Sequence, residues 1–176
     1  SKSDYYRALL ALDYYQFVNP PIKLSKFKVL PREDKDKLLS ERDTNKLVDI
    51  VGYVFMPNHF HLLLKQNVDN GISKYLSKFT NSYTRYFNTK HNRVGPVFQG
   101  VFKAVYVESE EQLLHLSRYI HLNPYVSNIV AKKNILEYPW SSLQAYLGGQ
   151  NYIIDASSVL HRFKSAQDYK SFVINH

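Results

Sequence analysis

The sequence contains no cysteine. That excludes disulfide staples and thiolate metal sites, so any metal must be held by histidine, carboxylate, amide or water. The absence suits a reducing cytosol. Glycine (6) and proline (7) are sparse among 176 residues, and neither repeats nor low-complexity tracts occur, so the composition is not collagen-like or disordered. No apolar run approaches the roughly 20 residues that a membrane-crossing helix needs. The opening SKSDYYRALL lacks the charged-then-apolar order of a signal peptide. A soluble, unexported chain is expected, and its length suits one domain with a real core.

What the sequence does contain points towards nucleic acid. The formal charge is +8, with 15 tyrosines and 10 phenylalanines, and the pI is near 9.5. Cations neutralise phosphates and exposed aromatics stack on unpaired bases, as single-stranded nucleic acid requires. The alternative is that the aromatics form core and the charge only solubilises.

Hydrophobic spacing gives the element order. Ser3 to Asn19 has apolar residues at helical intervals and meets a stop at Pro20-Pro21. The charged stretch that follows reads as a surface connection with a short helix around Asp34 to Ser40. Leu47 to Met56 and His59 to Asn67 read as two strands of an antiparallel hairpin, turned at Pro57-Asn58. Asn70 to Asn88 is a long amphipathic helix, with Ile72, Tyr75, Leu76, Phe79, Tyr83, Tyr86 and Phe87 recurring every three or four positions. Val101 to Ser109 reads as a third strand. Ser109 then caps a helix over Glu110 to Asn123, with acids in its first turn and an end set by Pro124. A turn into a short helix lies in Leu136 to Gly149, and a last helical segment within Ala156 to Asn175. The expected fold class is α/β (α+β), an antiparallel sheet with helices on one face, because a hairpin and a third strand cannot bury both faces alone.

Within MPNHFHLLLKQ, His59 and His61 stand two apart. In a strand that spacing places both imidazoles on one face and Phe60 on the other, a geometry able to hold a metal; the alternative is two half-buried histidines bonded to backbone. In RYIHLNP, Tyr119 and Asn123 stand four apart on one helix face. Tyrosine can be a nucleophile and an asparagine amide oxygen a third metal ligand. A hydroxyl attacking a phosphodiester needs the phosphate charge neutralised, and two histidines plus an amide would leave coordination positions open for phosphate and water. Tyr119 could instead be one more core aromatic, and Asn123 a helix C-cap. His115 and His121 read as supporting or surface groups.

Three ordered blocks carry a resemblance: GYVFMPNHFHLLLKQ, the stretch from NSYTRYFN through GPVFQGVFKAVYVES to RYIHLNP, and YPWSSLQAYLGG. From about Val48 to Gly149 the sequence resembles the REP-associated tyrosine transposases, relatives of the single-tyrosine insertion-sequence transposases of the HUH nuclease superfamily. The resemblance implies a ferredoxin-like antiparallel sheet with helices packed on it. Residues 1–150 would form the transposase domain and 151–176 a helical extension packed on it. His59 and His61 would be the metal ligands, Tyr119 the nucleophile, and Asn123 the metal-binding amide. The cofactor would be a divalent metal, Mg²⁺ or Mn²⁺.

The reaction so implied is cleavage of single-stranded DNA beside a hairpin, through a covalent 5'-phosphotyrosine that can later rejoin strands. Arg93, Phe98, Phe102 and Lys103 in NRVGPVFQGVFK are expected to grip phosphate and stack bases, the alternative being a turn with a partly buried phenylalanine pair. The resemblance further implies a bacterial, cytoplasmic and nucleoid-associated protein, monomeric or homodimeric, with monomer favoured. Relatives place a strand of the YHVxNRG kind before the first helix, whereas this sequence opens at SKSDYYRALL and carries a charged insert between Pro20 and Leu47; that strand either lies outside this sequence or is disordered, and without it the sheet is expected to have one exposed edge. Two other readings remain at this point: a non-catalytic DNA-hairpin-binding module, and an RNA-binding sheet.

Overall fold

A computed structural model describes residues 1–41 and 43–175. The chain is a mixed α/β structure whose two strands, β1 (Val48–Phe55) and β2 (Phe60–Gln66), form a two-stranded antiparallel sheet. It divides into two units, each drawn from two stretches of sequence: Ser1–Asp49 with Gln66–Phe102, and Ile50–Lys65 with Lys103–His176.

In the first unit, α1 (Lys2–Tyr14) packs against α4 (Gly71–His91). Ala8, Ala11 and Leu12 from α1 and Tyr75, Leu76 and Phe79 from α4 are buried, and the Tyr75 hydroxyl donates to Leu12 O at 3.0 Å. Burying Leu12, Leu76 or Phe79 contributes roughly 1.5–3 kcal/mol each. Helix α1 ends five residues short of Asn19, because the chain leaves it to bridge. Phe17 and Lys46 pair antiparallel, with Leu47 N donating to Gln16 O at 2.7 Å and Val18 N to Asn45 O at 2.9 Å.

The charged connection holds two helices where one was expected. In α2 (Leu24–Val29), Leu24 and Phe27 are buried, and the Phe27 ring lies 5.1 Å from Tyr14. Helix α3 (Arg32–Ser40) buries nothing. Left-handed Asn70 (φ 58°) and Asn92 (φ 50°) flank α4, which runs three residues past Asn88. Gly71 at its start admits no side chain, since a Cβ there would stand 2.3 Å from Leu47 O.

In the second unit β1 is buried from Ile50 to Phe55. Its near-continuous apolar run is what a strand covered on both faces requires. The edge of β1 is also occupied: Phe55 N donates to Trp140 O at 2.8 Å, Ser142 N to Tyr53 O at 3.0 Å, and Asp155 N to Ile50 O at 2.8 Å. Val54 and Ser141 form an antiparallel bridge, so the YPWSS block, read from sequence as a turn, augments the sheet.

The third strand expected over Val101–Ser109 does not form. Val101–Tyr106 and Glu108 are exposed, and among the described residues this stretch makes no backbone ladder bonds. β-branched residues suit a pleated surface, but without a pairing edge they do not make a strand.

Helix α5 (Glu110–Val126) begins as expected, with Gln112 N donating to Ser109 Oγ at 3.1 Å. It does not stop at Pro124, which lies inside it. Proline removes a single donor, while the carbonyls of Asn123 and Pro124 still accept from Ser127 N at 2.9 Å and Ile129 N at 2.8 Å. A 3₁₀ turn (Lys132–Glu137), α7 (Ser157–Leu160) and α8 (Ala166–Ile174) pack on α5, and α6 (Leu143–Tyr146) packs on the 3₁₀ turn. No helix among the described residues is long and apolar enough to cross a membrane.

Candidate active site

His59 lies in the hairpin turn just ahead of β2 and His61 within β2, both in the second unit. Their ring centroids are 5.0 Å apart with planes at 85°. Phe60 points the other way, its ring 6.1 Å from Phe55, so the alternation read from the sequence places the two imidazoles together.

The two rings have different surroundings. His59 Nδ1 is 2.7 Å from Asn58 Oδ1. An amide oxygen only accepts, so Nδ1–H donates to it, and in the neutral ring Nε2 is the nitrogen that keeps a lone pair. His61 is half-buried, and burial first, then the neighbouring His59, lowers its pKa below the ordinary histidine value. For His61 this favours the neutral form, the one able to ligate a metal.

Helix α5 brings Tyr119 to the same place. Its ring centroid is 5.6 Å from that of His61, at 74°, while 49% of the residue remains open to solvent. It is therefore not core. One turn on, Asn123 is 3% exposed, and its Oδ1 accepts from Ser127 Oγ at 3.2 Å. It is not the helix cap, a position taken by Ser127. The amide oxygen has a second lone pair, which leaves it able to ligate as well.

In chemical type, two imidazoles and an amide oxygen with no thiolate suit a divalent cation. No group of three or more His, Cys, Asp or Glu among the described residues could hold a metal, so a centre at the histidine pair would need the amide and oxygen from substrate or water.

The residues expected to contact DNA fall in both units. Arg93, Phe98 and Phe102 belong to the first unit and Lys103 to the second. The Arg93 guanidinium lies 5.7 Å from the Phe87 ring centroid. Phe98 packs at 5.9 Å on Tyr83, which makes it part of an aromatic row along α4. Phe102 and Lys103 are exposed.

Two features escaped the sequence. Asn58 reads there as a turn residue only. His121 reads as a supporting or surface group, yet it is fully buried, with Nδ1 2.7 Å from the Tyr169 hydroxyl and Nε2 2.8 Å from Ser142 Oγ. Burial lowers its pKa to about 3. His115 is a surface group, accepting from Arg118 at 3.0 Å.

A family model described as "Transposase IS200 like" matches residues 14–123, a span that includes both histidines and Tyr119 and ends on Asn123. Comparisons with curated proteins and with solved structures find no significant match.

Proposed function

The chain belongs to the IS200-like transposase family, and from that premise we propose that it is a single-tyrosine DNA endonuclease and strand transferase of the REP-associated branch. The observation that carries this reading is the solvent-open Tyr119 ring set edge-on against His61 at 5.6 Å. A nucleophile must be reachable, and a metal ligand must stand beside it.

Tyr119 Oη attacks the scissile phosphorus of a single strand beside a DNA hairpin. The new O–P bond replaces the bond to the 3'-oxygen, which leaves as a hydroxyl after taking a proton; the phenolic proton passes to water. The 5'-end stays attached to Tyr119, and attack by a free 3'-hydroxyl reverses the step and rejoins strands. The phosphodiester energy is retained, so no nucleotide cofactor is consumed. His59, His61 and Asn123 would hold Mg²⁺ or Mn²⁺, which when bound supplies Lewis-acid neutralisation of the phosphate charge. Asn58 fixes the His59 tautomer, and burial keeps His61 neutral. Exposed Arg93 and Lys103 supply phosphate contacts, and Phe102 a stacking surface. We favour a monomer.

The test is incubation with Mn²⁺ and hairpin oligonucleotides bearing single-stranded flanks, followed by denaturing electrophoresis. A denaturation-resistant adduct is expected from the parent and none from Tyr119→Phe. An adduct of equal yield from Tyr119→Phe overturns the reading. Salt-sensitive hairpin binding with no adduct from either protein would instead identify a non-catalytic hairpin-binding module.

A further inference from the structure

His121 is buried completely, although it lies only two residues from half-exposed Tyr119. Positions i and i+2 of a helix lie on different faces, so one face of α5 presents the tyrosine while another is fastened inside the second unit. Both ring nitrogens of His121 are engaged, and they join two hydroxyls on different elements.

Ser117 Oγ donates to Leu114 O at 2.7 Å, so it accepts from the Tyr169 hydroxyl at 3.2 Å. With that proton committed, His121 Nδ1–H donates to Tyr169 at 2.7 Å. In that tautomer Nε2 accepts from Ser142 Oγ at 2.8 Å, a hydroxyl that also lies 3.2 Å from Tyr53 O as a second acceptor and itself accepts from Tyr53 N at 2.9 Å. The series starts on the backbone of β1, crosses α5 and α8, and ends on the backbone of α5. β1 is the strand paired with β2, which carries His61. The edge of Tyr146, 4.6 Å from the His121 ring, closes the remaining side, with its own hydroxyl on Val51 O at 2.8 Å.

We infer that His121 is a positioning residue: through Ser142 and Tyr169 it fixes the rotation of α5 against the β1–β2 hairpin and so sets Tyr119 against His61. The inference rests on the reading of Tyr119 as the nucleophile. A turn of α5 about its axis would move Tyr119 across the hairpin, and it would also part Nε2 from Ser142 and Nδ1 from Tyr169. Misplacing a reacting atom by about 1 Å can cost on the order of 100-fold in rate, whereas DNA affinity depends on contacts that His121 does not make.

The test places 3-fluorotyrosine at position 119 alone and compares the parent with His121→Phe, which keeps ring volume but loses both bonds, His121→Gln, which keeps polar groups, and Ser142→Ala. In the free protein the fluorine resonance is expected to shift or broaden in His121→Phe and Ser142→Ala and to return towards the parent position in His121→Gln. In adduct assays kcat should fall about 10- to 100-fold with KM for the hairpin unchanged, again with recovery in His121→Gln. An unmoved resonance in folded His121→Phe overturns the inference, as does a raised KM with kcat intact. If His121→Phe does not fold, Ser142→Ala carries the same expectation and the same refutation. Should the parent form no adduct, the nucleophile reading falls, while the fluorine resonance still decides the positioning.

Discussion

The side-chain oxygen of Asn58 lies 2.7 Å from Nδ1 of His59, so a residue of the hairpin turn occupies one imidazole nitrogen and leaves Nε2 for the proposed metal. Partners of this kind typically change metal affinity 10- to 100-fold when removed. Asn58→Ala is expected to weaken Mn²⁺ binding about 10-fold, measured by calorimetric titration of the free protein. Unchanged affinity would mean that Nε2 of His59 is not the ligating atom.

His61→Ala is expected to abolish both the Mn²⁺-dependent rise in melting temperature and adduct formation, while hairpin binding without metal persists. Band-shift and thermal-melt assays with and without metal separate the two effects. A full Mn²⁺ stabilisation in His61→Ala would remove it from the proposed centre.

The pH response follows from His121, whose pKa is lowered from 6.5 to about 3 by burial. Below pH 6.5 the unfolded chain binds a proton that the folded one refuses, so the unfolded state gains as pH falls. The stability contributed by the neutral buried ring is full above pH 6.5 and is lost as the pH drops towards 3, by up to about 5 kcal/mol. Half-buried His61, also lowered, adds in the same direction and less, through solvent screening. Denaturant titrations from pH 7.5 to 4.5 should show falling stability, and His121→Gln should flatten that slope; an equal slope in both proteins contradicts the assignment.

Gly71→Ala is expected to cost about 1–3 kcal/mol, because the new Cβ would stand 2.3 Å from Leu47 O, a backbone atom that cannot swing aside. Thermal unfolding should show a fall of roughly 2–10 °C. An unchanged melting temperature would mean that the start of α4 shifts freely.

Arg93→Ala and Lys103→Ala should each weaken hairpin binding for any loop sequence and lower the salt slope by about 1. Affinity measured across a salt series gives the slope directly. A slope equal to that of the parent removes the residue from the phosphate contacts.

Local patterning made much of this structure legible. The hairpin, the long helix α4, the Ser109 cap and the juxtaposition of His59 with His61 follow from periodicities and turn residues a few positions apart. Tyr119 and Asn123 could be placed on one helix face by spacing, but only tertiary packing brings that face to His61. The misreadings share one cause. Val101–Ser109 has strand propensity without an edge to pair with, YPWSS has turn residues yet finds one, and Pro124 sits where downstream donors hold the helix through it. Each outcome depends on a partner distant in sequence. His121 was illegible for the same reason, since its two partners lie 21 and 48 residues away.

The interleaving of the two units has a consequence for synthesis. Because the first is closed only by Gln66–Phe102, and the second needs Lys103 onward to complete Ile50–Lys65, a chain emerging from the ribosome exposes the histidine hairpin well before the helix bearing Tyr119 exists. Nascent protein therefore carries the proposed metal ligands without the proposed nucleophile. A polypeptide interrupted between residues 61 and 119 would keep both histidines and lack the tyrosine, so under the proposed mechanism such an incomplete product of translation could form no tyrosyl–DNA bond.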